Sequence, residues 1–130
     1  MKITGRFYGY ASKGKAAFGI QLSYGDAEYS KIVKLKEATT NSAELYAAEY
    51  ALKCIKNRNV EVELESCNSY VPRLFEKVND TYKTKAERNV DMVIRAREAA
   101  SDLNLSIVMK KSDAMIKLQE QVRNAVNGKN

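Results

Sequence analysis

Histidine and tryptophan are missing from the chain, proline occurs once and cysteine twice. Without histidine there is no Ser-His-Asp or Cys-His nucleophile pair, no HExxH zinc protease and no imidazole-bound metal. Cys54 and Cys67 are too few for a disulfide framework and lack CxxC spacing, so they read as two reduced thiols. No apolar run is long enough for a signal peptide or approaches the ~20 residues of a membrane span. These absences predict a soluble, intracellular protein, cytoplasmic and without a membrane partner. With 45% hydrophobic residues and a single proline, the 130-residue chain reads as one packed domain over 1–126, with a frayed tail at 127–130.

What is present in excess is positive charge. There are 22 Lys and Arg against 16 Asp and Glu, a formal net charge of +6. The excess is segregated: residues 1–36 carry seven basic groups against two acidic, 37–66 three against six, and 67–130 twelve against eight. Such a surplus on the first and last thirds is the footprint of a protein that meets polyanions, nucleic acid or ribonucleoprotein first among them.

Hydrophobic periodicity predicts strands at 3–10, 16–24 and 28–36, joined as an antiparallel meander with Gly25-Asp26 as a turn pair. Leu45, Ala48, Leu52 and Ile55 then recur at helical spacing over 41–57, with Asn41 as candidate cap and Glu44 three residues on. Val60, Val62 and Leu64 alternate with glutamates as a fourth strand. A short helix containing Pro72 is expected to reach about 78, followed by a polar loop at 79–85 and a helix at 86–103. Leu105, Ile107 and Met109 form a fifth strand. Ser112 or Asp113 caps a last helix carrying Met115, Leu118, Val122 and Ala125 on one face. The order βββαβααβα predicts an α/β fold: a five-stranded mixed sheet, three antiparallel strands then two parallel ones, with helices on both faces.

Particular segments add a resemblance. Thr39-Thr40-Asn41-Ser42-Ala43-Glu44-Leu45-Tyr46-Ala47-Ala48 resembles the first-helix motif of ribonuclease H type I, where a Thr/Asn-rich loop leads into an acid facing the sheet. Val62-Glu63-Leu64-Glu65-Ser66-Cys67-Asn68-Ser69-Tyr70-Val71 resembles that family's fourth strand and the start of its next helix. Asn89-Val90-Asp91-Met92 resembles the start of its long helix, and 105–111 its last strand. The resemblance implies the ribonuclease H-like fold and a hydrolase that holds two Mg²⁺ about 3.5–4 Å apart with four carboxylates. Of those four acids the pattern supplies one, or two if the last is Glu120. Glu44 matches the second, whereas Gly9 stands at the first and Cys67 at the third. The fourth falls on Ile116 in one register and on Glu120 in another, and the family's mobile histidine maps near Asp113. A thiol is a poor ligand for a hard ion that demands octahedral oxygen, so no metal site and no cofactor are expected, Mg²⁺ entering only if the site is rearranged. Each residue also has a plainer reading: Glu44 as the acid of a capping box, Cys67 as a small buried residue, the tyrosines beside Gly9 as ordinary strand residues.

Without catalysis, what remains is a fold that grips a sugar-phosphate backbone. Candidate contacts are Arg6, Lys13 and Lys15 near the first turn, Lys31, Lys34 and Lys36 on the third strand, and Lys83, Lys85 and Arg88 in the later loop. That loop is a reduced version of the basic handle of ribonuclease H enzymes. Tyr8 and Tyr10 flank Gly9 and offer rings for stacking. The leading expectation is a catalytically degenerate, RNA-binding pseudoenzyme whose partner is RNA, an RNA-containing duplex or a ribonucleoprotein. Two alternatives stand beside it: an active Mg²⁺-dependent ribonuclease H with a rearranged site, and a protein-docking module in a viral or phage machinery.

Overall fold

The five strands of the main sheet in this computed structural model, which describes residues 2–128, are placed by two short turns and two long crossovers. β1 (Lys2–Ser12) and β2 (Lys15–Tyr24) form a hairpin over Lys13-Gly14, both in left-handed backbone at φ 52° and 76°. This two-residue turn matches the right-handed twist of the strands it joins. β3 (Ala27–Leu35) continues the meander, with Phe18 opposite Val33. β4 (Glu61–Ser66) runs parallel to β1, and β7 (Asn104–Met109) parallel to β4. The sheet order is β3-β2-β1-β4-β7, the mixed five-stranded arrangement expected from the sequence. A two-stranded ribbon, β5 (Lys77–Val78) and β6 (Thr81–Tyr82), lies apart from it.

Alternation along β1 sends Ile3 and Phe7 to one face and Tyr8 to the other. On the first face α1 (Thr40–Cys54) and α3 (Val90–Ala100) bury Phe7, Ile20, Leu45, Leu52, Leu64 and Val93. On the second, α4 (Asp113–Asn127) buries Met115, Leu118 and Val122 against Tyr8 and Ala17. Each such side chain withdrawn from water contributes about 1.5–3 kcal/mol. The pairing of β1 with β4 ends at Arg6↔Glu65. Residues 7–12 of β1 therefore have a strand neighbour only on the β2 side, and that opening is where the helices bring in side chains.

Several local expectations are corrected. Thr39, not Asn41, caps α1: its hydroxyl accepts from the Ser42 N–H at 3.1 Å, and the Thr39 N–H donates to the Ser42 hydroxyl at 2.9 Å. The capping-box partner is thus Ser42, so Glu44 is not the capping acid. α1 stops at Cys54, because Arg58 closes its last turn by donating to the Leu52 and Ile55 carbonyls. The Pro72 helix, α2 (Tyr70–Leu74), is shorter than expected. Within the predicted loop the chain turns at Asn79-Asp80, both at positive φ, and pairs β5 with β6. α3 begins at Val90 rather than 86. Ser112 caps α4 through the Met115 N–H. Val126 rather than Ala125 completes its buried stripe, and Asn127 is still helical, with Gly128 as its C-cap; the rest of the expected tail lies outside the described residues.

Candidate functional site

At the open end of β1, Gly9, where the sequence reading put the first lost acid, faces the backbone of α1, and the β1 residue that meets Glu44 and Cys67 is its neighbour Tyr8. A Cβ built on Gly9 would lie 2.3 Å from the Ala43 carbonyl carbon and 2.3 Å from the Glu44 nitrogen, both backbone atoms of α1. Only a residue without Cβ lets the helix come this close. Two side chains of α1 then take backbone N–H groups of β1: Glu44 Oε2 accepts from Gly9 at 2.5 Å, and Thr40 Oγ1 from Ala11 at 3.2 Å. Glu44 is fully buried and its Oε1 has no hydrogen-bond partner among the described residues. Burial pushes its carboxyl up to about 8, against the smaller opposing effect of the Gly9 N–H. At neutral pH it is mostly an uncharged acid.

Cys67 follows the end of β4 and is half-buried. Its thiol is pushed above its ordinary value by burial and then by the nearby Glu44 carboxyl, despite the hydrogen bond it accepts from Gln119. Gln119, itself buried on α4, donates Nε2–H to Cys67 Sγ at 3.1 Å. The residue of the last helix that meets Cys67 is therefore Gln119, between the two registers considered from sequence. Ile116 and Glu120 are exposed, and Asp113 is exposed in the first turn of α4. One turn beyond Gln119, Arg123 Nε donates to the Tyr8 hydroxyl at 3.0 Å. Its guanidinium carbon is 5.6 Å from the centres of the Tyr8 and Tyr10 rings, which are nearly parallel, 12° apart. Burial raises the Tyr8 hydroxyl above its ordinary value and outweighs the lowering by Arg123, so the phenol is neutral and accepts. Gln119 and Arg123 escaped the sequence reading. The available signal was a polar residue inside the apolar stripe of Met115, Leu118 and Val122, with an arginine four positions later.

The basic candidates separate by face. Arg6 is internal: it donates to Glu65 at 2.9 Å and to Gln21, with 13% of its side chain exposed. Burial alone would raise the Glu65 carboxyl, but hydrogen bonds from Arg6 and Ser112 and the charge of Arg6 hold it below its ordinary value. Lys13, Lys15, Lys31, Lys34 and Lys36 are all exposed. The register places Lys34 beside Ala17 and Tyr10, on the α4 face, and Lys15 beside Ser12 on that same face. Lys31 pairs with Ile20 and points to the α1 face, and Lys36 lies just beyond β3. Lys83, Lys85 and Arg88 form a separate exposed group after β6.

Two magnesium ions need several ionised oxygen ligands converging on one point. Here the converging groups are a single carboxyl, a thiol, an amide and a phenol held by a guanidinium. Among the described residues no three His, Cys, Asp or Glu side chains cluster to hold a metal. The donor set does not fit the two-metal centre that the fold implies.

Comparison with solved structures places the architecture. LC11-RNase H1, isolated from compost by a metagenomic approach, superposes with a TM-score of 0.78 at 20% identity, over 98% of this chain and 96% of its own. The same enzyme in complex with RNA/DNA hybrid gives 0.78 at 19%, over 97% of each chain. RNase H1 of the halophilic archaeon Halobacterium salinarum gives 0.72 at 21%, over 98% of this chain and 99% of its own. The chain has the RNase H-like fold, an α/β architecture found in bacterial, archaeal and viral RNase H domains. No family model and no curated protein sequence matches it. No helix among the described residues is long and apolar enough to cross a membrane.

Proposed function

We propose that the protein is a catalytically silent RNase H-fold domain that binds an RNA-containing duplex through basic surfaces and does not hydrolyse it. The observation that carries the loss of catalysis is the set of side chains gathered around Glu44: Tyr8 on β1, Cys67 after β4 and Gln119 on α4, none of them an acid. The Gln119–Cys67 contact supports the same reading, since neither an amide nor a thiol supplies charge for divalent ions. Binding is supported by the net charge of +6, by the exposed lysines at the turn and on β3, and by the complex of a structural neighbour with RNA/DNA hybrid.

Fluorescence titration with RNA·DNA hybrid, duplex DNA and single-stranded RNA across a salt series tests the binding half. Each phosphate neutralised adds about −0.9 on duplex or −0.7 on single strands to the slope of log K against log salt. Hybrid binding with a steep slope, flattened by reversing Lys15 and Lys34 together, is the expected result. Failure of all three ligands to bind at low salt removes the nucleic-acid reading and leaves docking to a protein partner.

A further inference from the structure

Arg123 is the feature of this site that the loss of acids does not explain. Its Nε donates to the Tyr8 hydroxyl at 3.0 Å, and its guanidinium carbon lies 5.6 Å from the centres of two nearly parallel rings. Among the described residues no carboxylate comes within ion-pairing distance, and neither terminal amino group has a partner. The residue is exposed, so its free fork faces solvent. An arginine with Nε anchored and its charge set against two rings has less rotamer freedom left to lose on binding. The two remaining amino groups match the paired oxygens of a phosphate. Lys34, beside Ala17 and Tyr10 in the sheet, and Lys15, beside Ser12, put two more exposed cations on the same face.

We propose that Arg123, oriented by Tyr8 and Tyr10, is a preformed clamp for a backbone phosphate of the bound polynucleotide, supplying at this end of β1 the positive charge that divalent ions do not. The proposal rests on the nucleic-acid reading above and adds the residue that grips the backbone and the independence of that grip from metal. Tyr8 is a positioning residue in this account: it touches the guanidinium, not the ligand.

The test is titration of labelled RNA·DNA hybrid in EDTA across a salt series with the full chain and three variants, each checked for its melting temperature. Arg123→Gln is expected to weaken binding about ten-fold or more and to reduce the salt slope by about 0.9, one phosphate contact. Arg123→Lys keeps the charge and so the slope, but loses affinity several-fold because a point charge does not replace the fork. Tyr8→Phe keeps the buried ring and the slope and loses a few-fold in affinity, a combination that simple loss of folding would not produce. A wild-type protein that binds hybrid while Arg123→Gln binds equally well overturns the clamp and leaves the nucleic-acid reading standing. Absence of any hybrid binding by the wild type overturns both. An Arg123-dependent thermal shift with inorganic phosphate, together with hybrid binding that ignores Arg123, would assign the clamp to a free phosphate and overturn its assignment to a polynucleotide. Tyr8→Phe indistinguishable from wild type would refute the orienting role of its hydroxyl.

Discussion

One missing carbon at Gly9 sets how closely α1 seats on β1. With a Cβ placed 2.3 Å from two backbone atoms of α1, no side-chain rotamer relieves the overlap, and either the helix or the strand must shift. Gly9→Ala is therefore expected to cost at least about 2–3 kcal/mol, at the upper end of overpacking changes, read as a lowered melting temperature. Gly9→Asp, the change that restoring the expected acid would require, should destabilise at least as much; a variant as stable as wild type would show that the helix is not seated as described. Glu44 gives a second test. Its folded-state carboxyl titrates near 8, above the ordinary 4.5 of the unfolded chain, so between these values the folded state binds more protons. Stability from this group is fully present below about 4.5, falls as pH rises through that window, and is gone above about 8. Glu44→Gln keeps an acceptor for the Gly9 N–H and removes the titration. It should flatten the stability profile between pH 5 and 8 and melt higher than wild type near pH 8, by a few kcal/mol at most; parallel profiles for the two proteins would mean that Glu44 is already ionised when folded.

At the scale of elements, internal arginines tie the layers together and are unavailable to a ligand. Arg58 donates to the Leu52, Ile55 and Ala99 carbonyls and to Asp102, so it finishes the last turns of α1 and α3 with one side chain. Hydrogen bonds from a charged group are worth about 1.5–3 kcal/mol, and Arg58→Ala should destabilise by about that amount in a denaturant melt; a change below about 0.5 kcal/mol would deny it this role. Arg6 links β1 to Glu65, which also accepts from the Ser112 hydroxyl at 2.7 Å at the start of α4. This is why a residue that looks in sequence like part of a basic turn is instead buried structure. The element order and the sheet were legible in the sequence because alternation and helical spacing are strong and consistent over most of the chain. The short pieces were not. α2 ends at Leu74 and a four-residue ribbon follows, held by Arg97, which donates to the Leu74 and Thr84 carbonyls and lies 4.2 Å from the Tyr82 ring centre. Those are tertiary contacts with no local periodic signature.

For the molecule as a whole, the same limit applies to the site. Cysteine at 67 stood out as a departure from the acidic pattern, but a linear register could tell neither that Tyr8 rather than Gly9 faces it nor which residue of α4 does. That depends on how α4 crosses the sheet, and Gly19 sets the crossing: a Cβ there would lie 2.7–2.8 Å from side-chain atoms of Ile32, Leu118 and Val122. The close seat of Leu118 and Val122 on β2 turns Gln119 and Arg123 toward the open end of β1 and leaves Glu120 in solvent. The charge distribution was legible as composition and became a surface only through the register, which puts Lys15 and Lys34 on the face of Tyr10 and Lys31 on the other.

We propose an exchange of metal-dependent chemistry for metal-independent binding. Its most direct test is to incubate end-labelled RNA·DNA hybrid with the protein in Mg²⁺, in Mn²⁺ and in EDTA, following complex formation and RNA length in the same samples. The account predicts complex formation of similar affinity in all three once ionic strength is matched, with the RNA intact throughout. Cleavage of the RNA that requires metal and disappears in Glu44→Gln would contradict it.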